Sequence, residues 1–83
     1  MTPNAANYNP SHEYALQLIE RITSTGKSQQ WIADRLGVTD RRIRYIVAGR
    51  RIVNGAPQDV RLSYCEQFAL ECLIAAIEAA QQL

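Results

Sequence analysis

Two short helical segments near the middle of the chain are joined by a connection that leaves little freedom in how they pack. The first runs through QQWIADRL and ends at Gly37, where a left-handed backbone conformation costs a glycine little. The second begins after Thr39, a residue type that caps helix N-termini well. Only Val38 lies between the two, and so short a joint makes the helices pack at a steep angle.

The residues of this helix pair have the sizes that such a crossing requires. Ala33 supplies a small side chain where the helices meet, and apolar residues recur at helical spacing on the facing sides. These apolar positions are Ile32, Leu36, Val38, Ile43 and Ile46; Val47 is also predicted to face inward on the second helix of the pair. The full set, over residues 29–48, predicts a helix-turn-helix, whose second helix is the one that enters the major groove of DNA in proteins of this design.

The N-terminal part of the chain predicts an arm followed by one helix. Residues 1–10 are polar, with two prolines and three asparagines, and we predict a flexible arm there. Ser11 is a suitable N-cap and Gly26 a suitable stop for the helix between them. Its buried face is predicted to consist of Ala15, Leu18, Ile19 and Ile22.

The segment after the helix-turn-helix has two interpretations. Residues 50–62 contain Asn54-Gly55 and Pro57 and predict a loop. A short hairpin that turns at Asn54-Gly55 is the alternative. The loop is favoured because the flanking alternation of apolar and polar residues is short.

The last helix is opened by an S-x-x-E capping box, Ser63 and Glu66, and is apolar around most of its circumference. A helix of this kind must be buried on more than one side, so we predict a twofold contact with a second copy; burial wholly within its own core is the alternative. The predicted dimer-interface residues are Phe68, Leu70, Leu73, Ile74 and Ile77. The predicted fold is therefore all-α, a single domain over residues 11–83 with about four helices around a central helix-turn-helix.

Positive charge is concentrated in one part of a nearly neutral chain. The formal net charge is +1, but residues 41–61 carry +5, against −1 for residues 1–40 and −3 for residues 62–83. One cationic surface favours an anionic partner, and nucleic acid is the first candidate. The alternative is a solvated helix face on which Asp34 and Asp40 partner some of the arginines.

The predicted contacts to DNA divide into residues that read bases and residues that bind the DNA backbone. Arg41, Arg44 and Tyr45 share the face opposite the predicted core, so we predict that they read base edges in the major groove. An arginine in the first turn, as Arg41 is, can bind guanine O6 and N7 together. The predicted contacts to the DNA backbone are Gln29, Gln30, Thr39, Arg42, Arg50 and Arg51. Trp31 is predicted to pack against another element rather than to stack on DNA.

Other classes of function find no support in the sequence. It contains no paired-carboxylate motif, no Cys–His arrangement and no glycine-rich phosphate loop, so we expect no enzyme activity, cofactor, metal or small-molecule ligand. Cys65 and Cys72 lie about 10 Å apart along one helix, too far for a disulfide, and are predicted to be small buried hydrophobes. Neither a membrane span nor a secretory signal is visible, and we expect a cytoplasmic protein.

The stretch SQQWIADRLGVTDRRIRYIVAG resembles the helix-turn-helix of phage repressors of the Cro and CI type. Together with QFALECL in the last helix, it is more similar to the anti-CRISPR-associated (Aca) regulators, small autorepressors of phage and mobile-element operons. The likeness covers about residues 28–74. It implies a homodimer in a bacterial host that binds an inverted repeat in its own promoter, and it marks Arg41 as the expected base-reading residue. Gln30 and Trp31 stand where these regulators carry basic residues, which shifts the expected backbone contacts towards Arg50 and Arg51.

Two alternative functions stay open at the level of the sequence. One is a phage recombination or excision accessory factor, which would bind and bend DNA with a weaker sequence preference. The other is an inhibitor or adaptor that binds an acidic protein through its arginines. Salt-dependent binding to DNA separates the repressor and the accessory factor from the inhibitor or adaptor that binds a protein. The strength of the sequence preference then separates the repressor from the accessory factor.

Overall fold

A computed structural model describes residues 1–81 of the chain. Their elements are a short 3-10 turn (Ala5–Asn7), α1 (His12–Thr23), α2 (Gln29–Leu36), α3 (Asp40–Ala48), β1 (Arg50–Val53), β2 (Ala56–Asp59) and α4 (Tyr64–Gln81). The prediction of four helices is confirmed. The all-α prediction is wrong for residues 50–59, which form a two-stranded antiparallel sheet.

Each helix begins at its predicted cap. The side chains of Ser11, Ser28 and Thr39 accept a hydrogen bond from the backbone N–H three residues later, at the starts of α1, α2 and α3. The capping box of α4 is complete, since the Ser63 N–H donates to Glu66 Oε1 at 2.8 Å and the Glu66 N–H donates to Ser63 Oγ at 3.1 Å. These bonds satisfy N–H groups that a helix start otherwise leaves without a partner.

The core is formed by all four helices together with Val60 and Leu62; α2 packs mainly on α3, and α1 packs on α3 and α4. Its buried side chains are Ala15, Leu18, Ile19, Ile22, Ile32, Ala33, Ile43, Ile46, Val60, Leu62, Leu70 and Ile74. All four predicted inward residues of α1 are among them, while Leu36, Val38 and Val47 are only half-buried. The burial of Ile43 and Ile46 fixes the rotation of α3 about its axis, and this rotation places the arginines of α3 at the surface.

A β-hairpin stands where the sequence favoured a loop. Asn54 and Gly55 both have positive φ, 52° and 78°, as a two-residue type I′ turn requires. The register pairs Arg50 with Asp59, Arg51 with Gln58, Ile52 with Pro57 and Val53 with Ala56. Apart from the half-buried Val53, every strand residue is exposed. Alternation of apolar and polar residues arises when one face of a strand is buried and the other is exposed. Because neither face of this hairpin is buried, its strands lack that alternation.

Residues 4–9 follow a defined path along the start of α4. The Gln67 side chain is fully buried; its Nε2 donates to Asn7 O at 2.9 Å, and its Oε1 accepts from the Asn9 N–H at 2.8 Å. The Tyr8 hydroxyl donates to Leu62 O at 2.5 Å. The flexibility of this arm stays a prediction, but these contacts show where it lies.

Candidate nucleic-acid interface

The side of α3 that faces away from the core is cationic. Arg41 and Arg44 are exposed there, while Ile43 and Ile46 on the other side are buried. The guanidinium of Arg41, in the first turn, has no hydrogen-bond or ion-pair partner within residues 1–81. Its planar fork of N–H donors therefore stays open to a ligand with two adjacent acceptors, such as a guanine edge or a phosphate.

Arg44 lies one turn further along and is held weakly. Its Nη1 donates to Asp40 Oδ2 at 2.5 Å, in an i,i+4 pair whose side chains are 58% and 43% exposed. Exposed pairs of this kind contribute about 0.3–0.5 kcal/mol, so an incoming acceptor displaces Asp40 at little cost. The expectation that Asp40 partners an arginine is thus confirmed for Arg44. Asp34 instead accepts from Gln30 Nε2 at 2.9 Å.

Tyr45 connects α3 to the hairpin. Its ring is half-buried against the core, and the guanidinium carbon of Arg51 lies 5.8 Å from the ring centroid. A cation–π contact at an exposed position contributes about 0.5–1 kcal/mol. The predicted base-reading residues and the start of β1 thus form one continuous surface. We call it the arginine face, and it consists of Arg41, Arg44, Tyr45 and Arg51.

Arg42, predicted to contact the DNA backbone, is occupied within the chain. Its Nε and Nη2 donate to the two carboxylate oxygens of Glu66 at 2.9 and 2.7 Å, and Nη2 also donates to Arg61 O at 2.9 Å. Three of its five N–H donors are used in this way. The structure therefore gives Arg42 a positioning role, which is to hold α3 on the start of α4.

The electrostatics of this ion pair agree with its geometry. Hydrogen bonding to Glu66 raises the pKa of Arg42 and outweighs the effect of burial. Burial alone would raise the pKa of Glu66, but hydrogen bonds from Arg42 and from the Ser63 backbone together lower it. Both groups are therefore held in their charged forms.

The other predicted backbone contacts differ in how accessible their side chains are. Gln29 is half-buried, and Gln30 is exposed at the start of α2. Thr39 is first a helix cap, because its Oγ1 accepts from the Arg42 N–H at 3.1 Å; the hydroxyl proton is left to donate. Arg50 is exposed in β1. The structure therefore leaves the side chains of Gln30 and Arg50 accessible to a phosphate.

His12 fixes the end of α3, a role that sequence reasoning missed. Its Nε2 lies 2.8 Å from Val47 O, and its ring packs so closely on Gly49 that a Cβ at that glycine would lie 2.9 Å from the ring. Gly49 has φ of +80° and caps α3. No local signal could have revealed this contact, because it joins residues 35 positions apart.

Trp31 packs within the protein, as predicted. Its half-buried ring contacts the core, with Lys27 Nζ and Arg35 Cζ at 5.0 and 5.1 Å from the ring centroid. Trp31 also lines an apolar groove of about 520 Å³ between α2 and α4, together with Leu73 and Ile77. The ring therefore belongs to the surface around α4 and not to the arginine face.

The predicted dimer-interface residues of α4 separate into two sets. Leu70 and Ile74 are only 0% and 6% exposed, because they pack in the core of the single chain. They are therefore removed from the predicted interface. Phe68, Leu73 and Ile77 are half-buried and retain exposed surface. Of the five predicted interface residues, these three therefore remain available to contact a second copy.

Both cysteines lie on α4, and neither is fully buried. Cys65 is exposed and Cys72 half-buried, so the prediction that both are buried is wrong; the outward side of α4 carries them. Within residues 1–81, no three side chains of His, Cys, Asp or Glu come together in a way that could hold a metal ion.

None of the helices in this part of the chain has the length and apolar character needed to cross a membrane.

No family model and no curated protein matches the chain. The function proposed below is therefore inferred from the geometry of the arginine face and its surroundings.

Proposed function

We propose that the protein is a sequence-specific DNA-binding repressor that binds an inverted repeat as a homodimer. The observation that carries this proposal is the exposed guanidinium of Arg41 in the first turn of α3, which has no partner within residues 1–81. Gly37, at φ +73°, and the buried Ala33 form the tight joint between α2 and α3. A second helix held in this way presents its N-terminal residues to base edges in the major groove.

The proposed mechanism of recognition divides two tasks between the arginine face and the neighbouring Arg50. Arg41 donates two hydrogen bonds to guanine O6 and N7, a contact that contributes about 1–3 kcal/mol of discrimination between bases. Arg44 exchanges Asp40 for an acceptor one base step away, beside Tyr45. Arg50 and Arg51 bind phosphates and set the register on the duplex without reading its sequence.

A second copy completes the proposed site. Two copies related by a twofold axis present two α3 helices, which fit half-sites about 34 Å apart, one turn of DNA. The surface that α4 leaves for a second copy has two parts, Leu73 with Ile77 beside Trp31 and Phe68 on the opposite side of the helix, and these are the proposed interface between the copies. Occupation of a promoter by such a dimer blocks transcription. The resemblance to the Aca regulators supports autoregulation of an anti-CRISPR or other phage operon, in the cytoplasm of the bacterial host.

The hairpin favours a second candidate function, an accessory factor for recombination or excision that bends DNA. A projecting ribbon next to the recognition helix extends the contact along the duplex, as a bending protein requires. The two candidates differ in selectivity. A repressor binds its operator about 10³-fold or more tightly than random DNA, whereas an accessory factor has a narrower gap.

Substitution of Arg41 tests the proposal. The protein first selects duplexes from a random-sequence library, and fluorescence anisotropy then compares a selected duplex with a scrambled one. Arg41→Ala should weaken binding to the selected duplex by about 5- to 150-fold per half-site, which corresponds to 1–3 kcal/mol, and change binding to the scrambled duplex little.

Arg35→Ala is the matched control, because Arg35 is also an exposed arginine but lies over Trp31, away from α3. It should bind like the wild type. Wild-type affinity in Arg41→Ala would contradict the assignment of α3 as the reading helix. Failure to select any sequence would contradict the repressor and favour an acidic protein partner.

A further inference from the structure

The hairpin of residues 50–59 contributes little to the core but is firmly attached at its base. All of its strand residues except Val53 are exposed, and Ile52 is 68% exposed. At its base the Val60 N–H donates to Gly49 O at 3.0 Å, and the side chains of Val60 and Leu62 are buried. A two-stranded hairpin without a packed face is only marginally stable by itself. The protein thus holds an exposed ribbon at the end of α3.

The pairing within the ribbon gives its two faces different chemistry. The two-residue turn makes Val53 and Ala56 the hydrogen-bonded closing pair, so Ile52 and Pro57 form the next, non-hydrogen-bonded pair, at a Cα separation of about 4.5 Å. Pro57 therefore costs the ribbon no hydrogen bond. Ile52 and Pro57 form an exposed apolar patch on one face, and Arg51 lies on the other.

The chemistry of the ribbon disfavours a further strand as its partner. Pro57 offers no N–H at the outer edge of β2, and each strand is only four residues long. Both features blunt a sheet edge against pairing. Arg51, in contrast, joins the ribbon to the arginine face through Tyr45. A ligand that binds the arginine face therefore also meets the ribbon.

We infer that the hairpin is a second DNA-contacting element, which lies in the minor groove next to the major-groove segment bound by α3. This inference rests on the proposed function. Strands of four residues span about 13 Å, which is enough to cross one sugar–phosphate backbone from the end of α3. Arg51 binds the wall of the groove nearer to α3, and Ile52 with Pro57 contacts the opposite wall.

Such a contact deforms the DNA. The minor groove is about 6 Å wide, whereas two paired strands are about 4.8 Å apart before any side chain is added. The groove must therefore widen to receive the ribbon. Apolar side chains such as Ile and Pro are the types that proteins press into the minor groove when they bend a duplex towards the major groove.

Methylation interference with dimethyl sulfate tests both elements in one experiment, because the reagent marks guanine N7 in the major groove and adenine N3 in the minor groove. The probe is a duplex selected by the full chain, with A·T pairs on both sides of each half-site. We expect guanine interference where α3 binds. We also expect adenine interference about half a helical turn, roughly five base pairs, away.

Two variants of similar size link the adenine signal to the hairpin. Ile52→Val keeps an apolar side chain and should keep adenine interference and DNA bending, measured by gel shift of circularly permuted fragments. Ile52→Thr has the shape of valine but is polar, and it should weaken both while guanine interference persists. Because Ile52 is exposed, both variants should fold like the wild type, which circular dichroism verifies.

The outcomes separate this inference from the proposed function. Guanine interference without adenine interference would overturn the hairpin contact and leave the repressor proposal intact. Equal adenine interference in both variants would also overturn the role of Ile52. Loss of dimerisation in Ile52→Thr without DNA, seen by sedimentation, would show a protein contact instead. Absence of any selected duplex would overturn both proposals.

Discussion

The ion pair between Arg42 and Glu66 predicts that one arginine of the basic segment acts on stability. Arg42→Met keeps the aliphatic stem but removes the hydrogen bonds to Glu66 and to Arg61 O. The side chains of Arg42 and Glu66 are 34% and 13% exposed, so the pair is intermediate between a surface ion pair and a buried charged hydrogen bond. A surface ion pair contributes about 0.2–1 kcal/mol to stability, and a buried charged hydrogen bond contributes about 1.5–3 kcal/mol. Glu66 would also stay partly buried without its cation. We expect a loss of about 2 kcal/mol in the free energy of unfolding.

Urea unfolding followed by circular dichroism at pH 7 measures this loss. In a domain of this size a loss of about 2 kcal/mol lowers Tm by roughly 8–16 °C. A double-mutant cycle with Glu66→Gln should give a coupling energy of about 1 kcal/mol or more. Arg44→Met is the matched control and should cost about 0.5 kcal/mol or less, because its pair with Asp40 is exposed. Unchanged stability together with weaker DNA binding in Arg42→Met would refute this reasoning and restore the phosphate contact predicted from the sequence.

The same pair gives a pH dependence of defined sign. The pKa of Glu66 is lowered in the folded protein, so its ionised form stabilises the fold. This contribution is complete above the pKa of an unfolded glutamate, about 4.3, and is lost as the pH falls through the lower pKa of the folded state. The difference in stability between the wild type and Arg42→Met should therefore be constant near neutral pH and shrink below about pH 4. A difference that grows on acidification would contradict the assignment.

Three further predictions concern the scaffold. Gly49→Ala should destabilise the protein by about 1 kcal/mol more than Gly37→Ala, as measured by urea unfolding. Both glycines have positive φ, but only a Cβ at Gly49 meets the His12 imidazole and breaks its hydrogen bond to Val47 O. Equal losses of stability in the two variants would contradict this. Gln67→Leu should cost about 1–3 kcal/mol and speed amide hydrogen exchange in residues 7–9, whereas unchanged exchange would show that other contacts hold this segment. Hydrogen bonding to Glu71 raises the pKa of Tyr14 to about 12, so alkaline titration at 295 nm should show a phase near that value, and Glu71→Gln should remove this phase. A titration without a phase near 12 would contradict the assignment.

The helices could be predicted because their signals are local. A cap such as Ser28 or Thr39 acts on N–H groups within one turn, and Gly37 ends α2 through its own backbone conformation. These signals do not depend on the rest of the fold. The position of Arg41 on the exposed side of α3 follows from the same short-range periodicity.

The errors arose where long-range packing decides the outcome. The sequence showed that α4 is apolar around most of its circumference but not which side faces the core of the same chain, so Leu70 and Ile74 were predicted to contact a partner. The role of Arg42 depends on Glu66, which is 24 residues further along. The loop was favoured over the hairpin because the strands are exposed on both faces; of the hairpin's signals, only Asn54-Gly55 is local.

The central claim is tested most directly by a gel-shift titration of the wild-type protein at about 50 and 200 mM salt, with a selected duplex and a scrambled duplex of equal length. A dimer that neutralises about six phosphates should lose roughly 10³-fold in affinity between the two salt concentrations. It should also bind the selected duplex about 10³-fold or more tightly than the scrambled one. Equal, weak affinity for both duplexes, insensitive to salt, would contradict the account and assign the arginine face to a partner other than DNA.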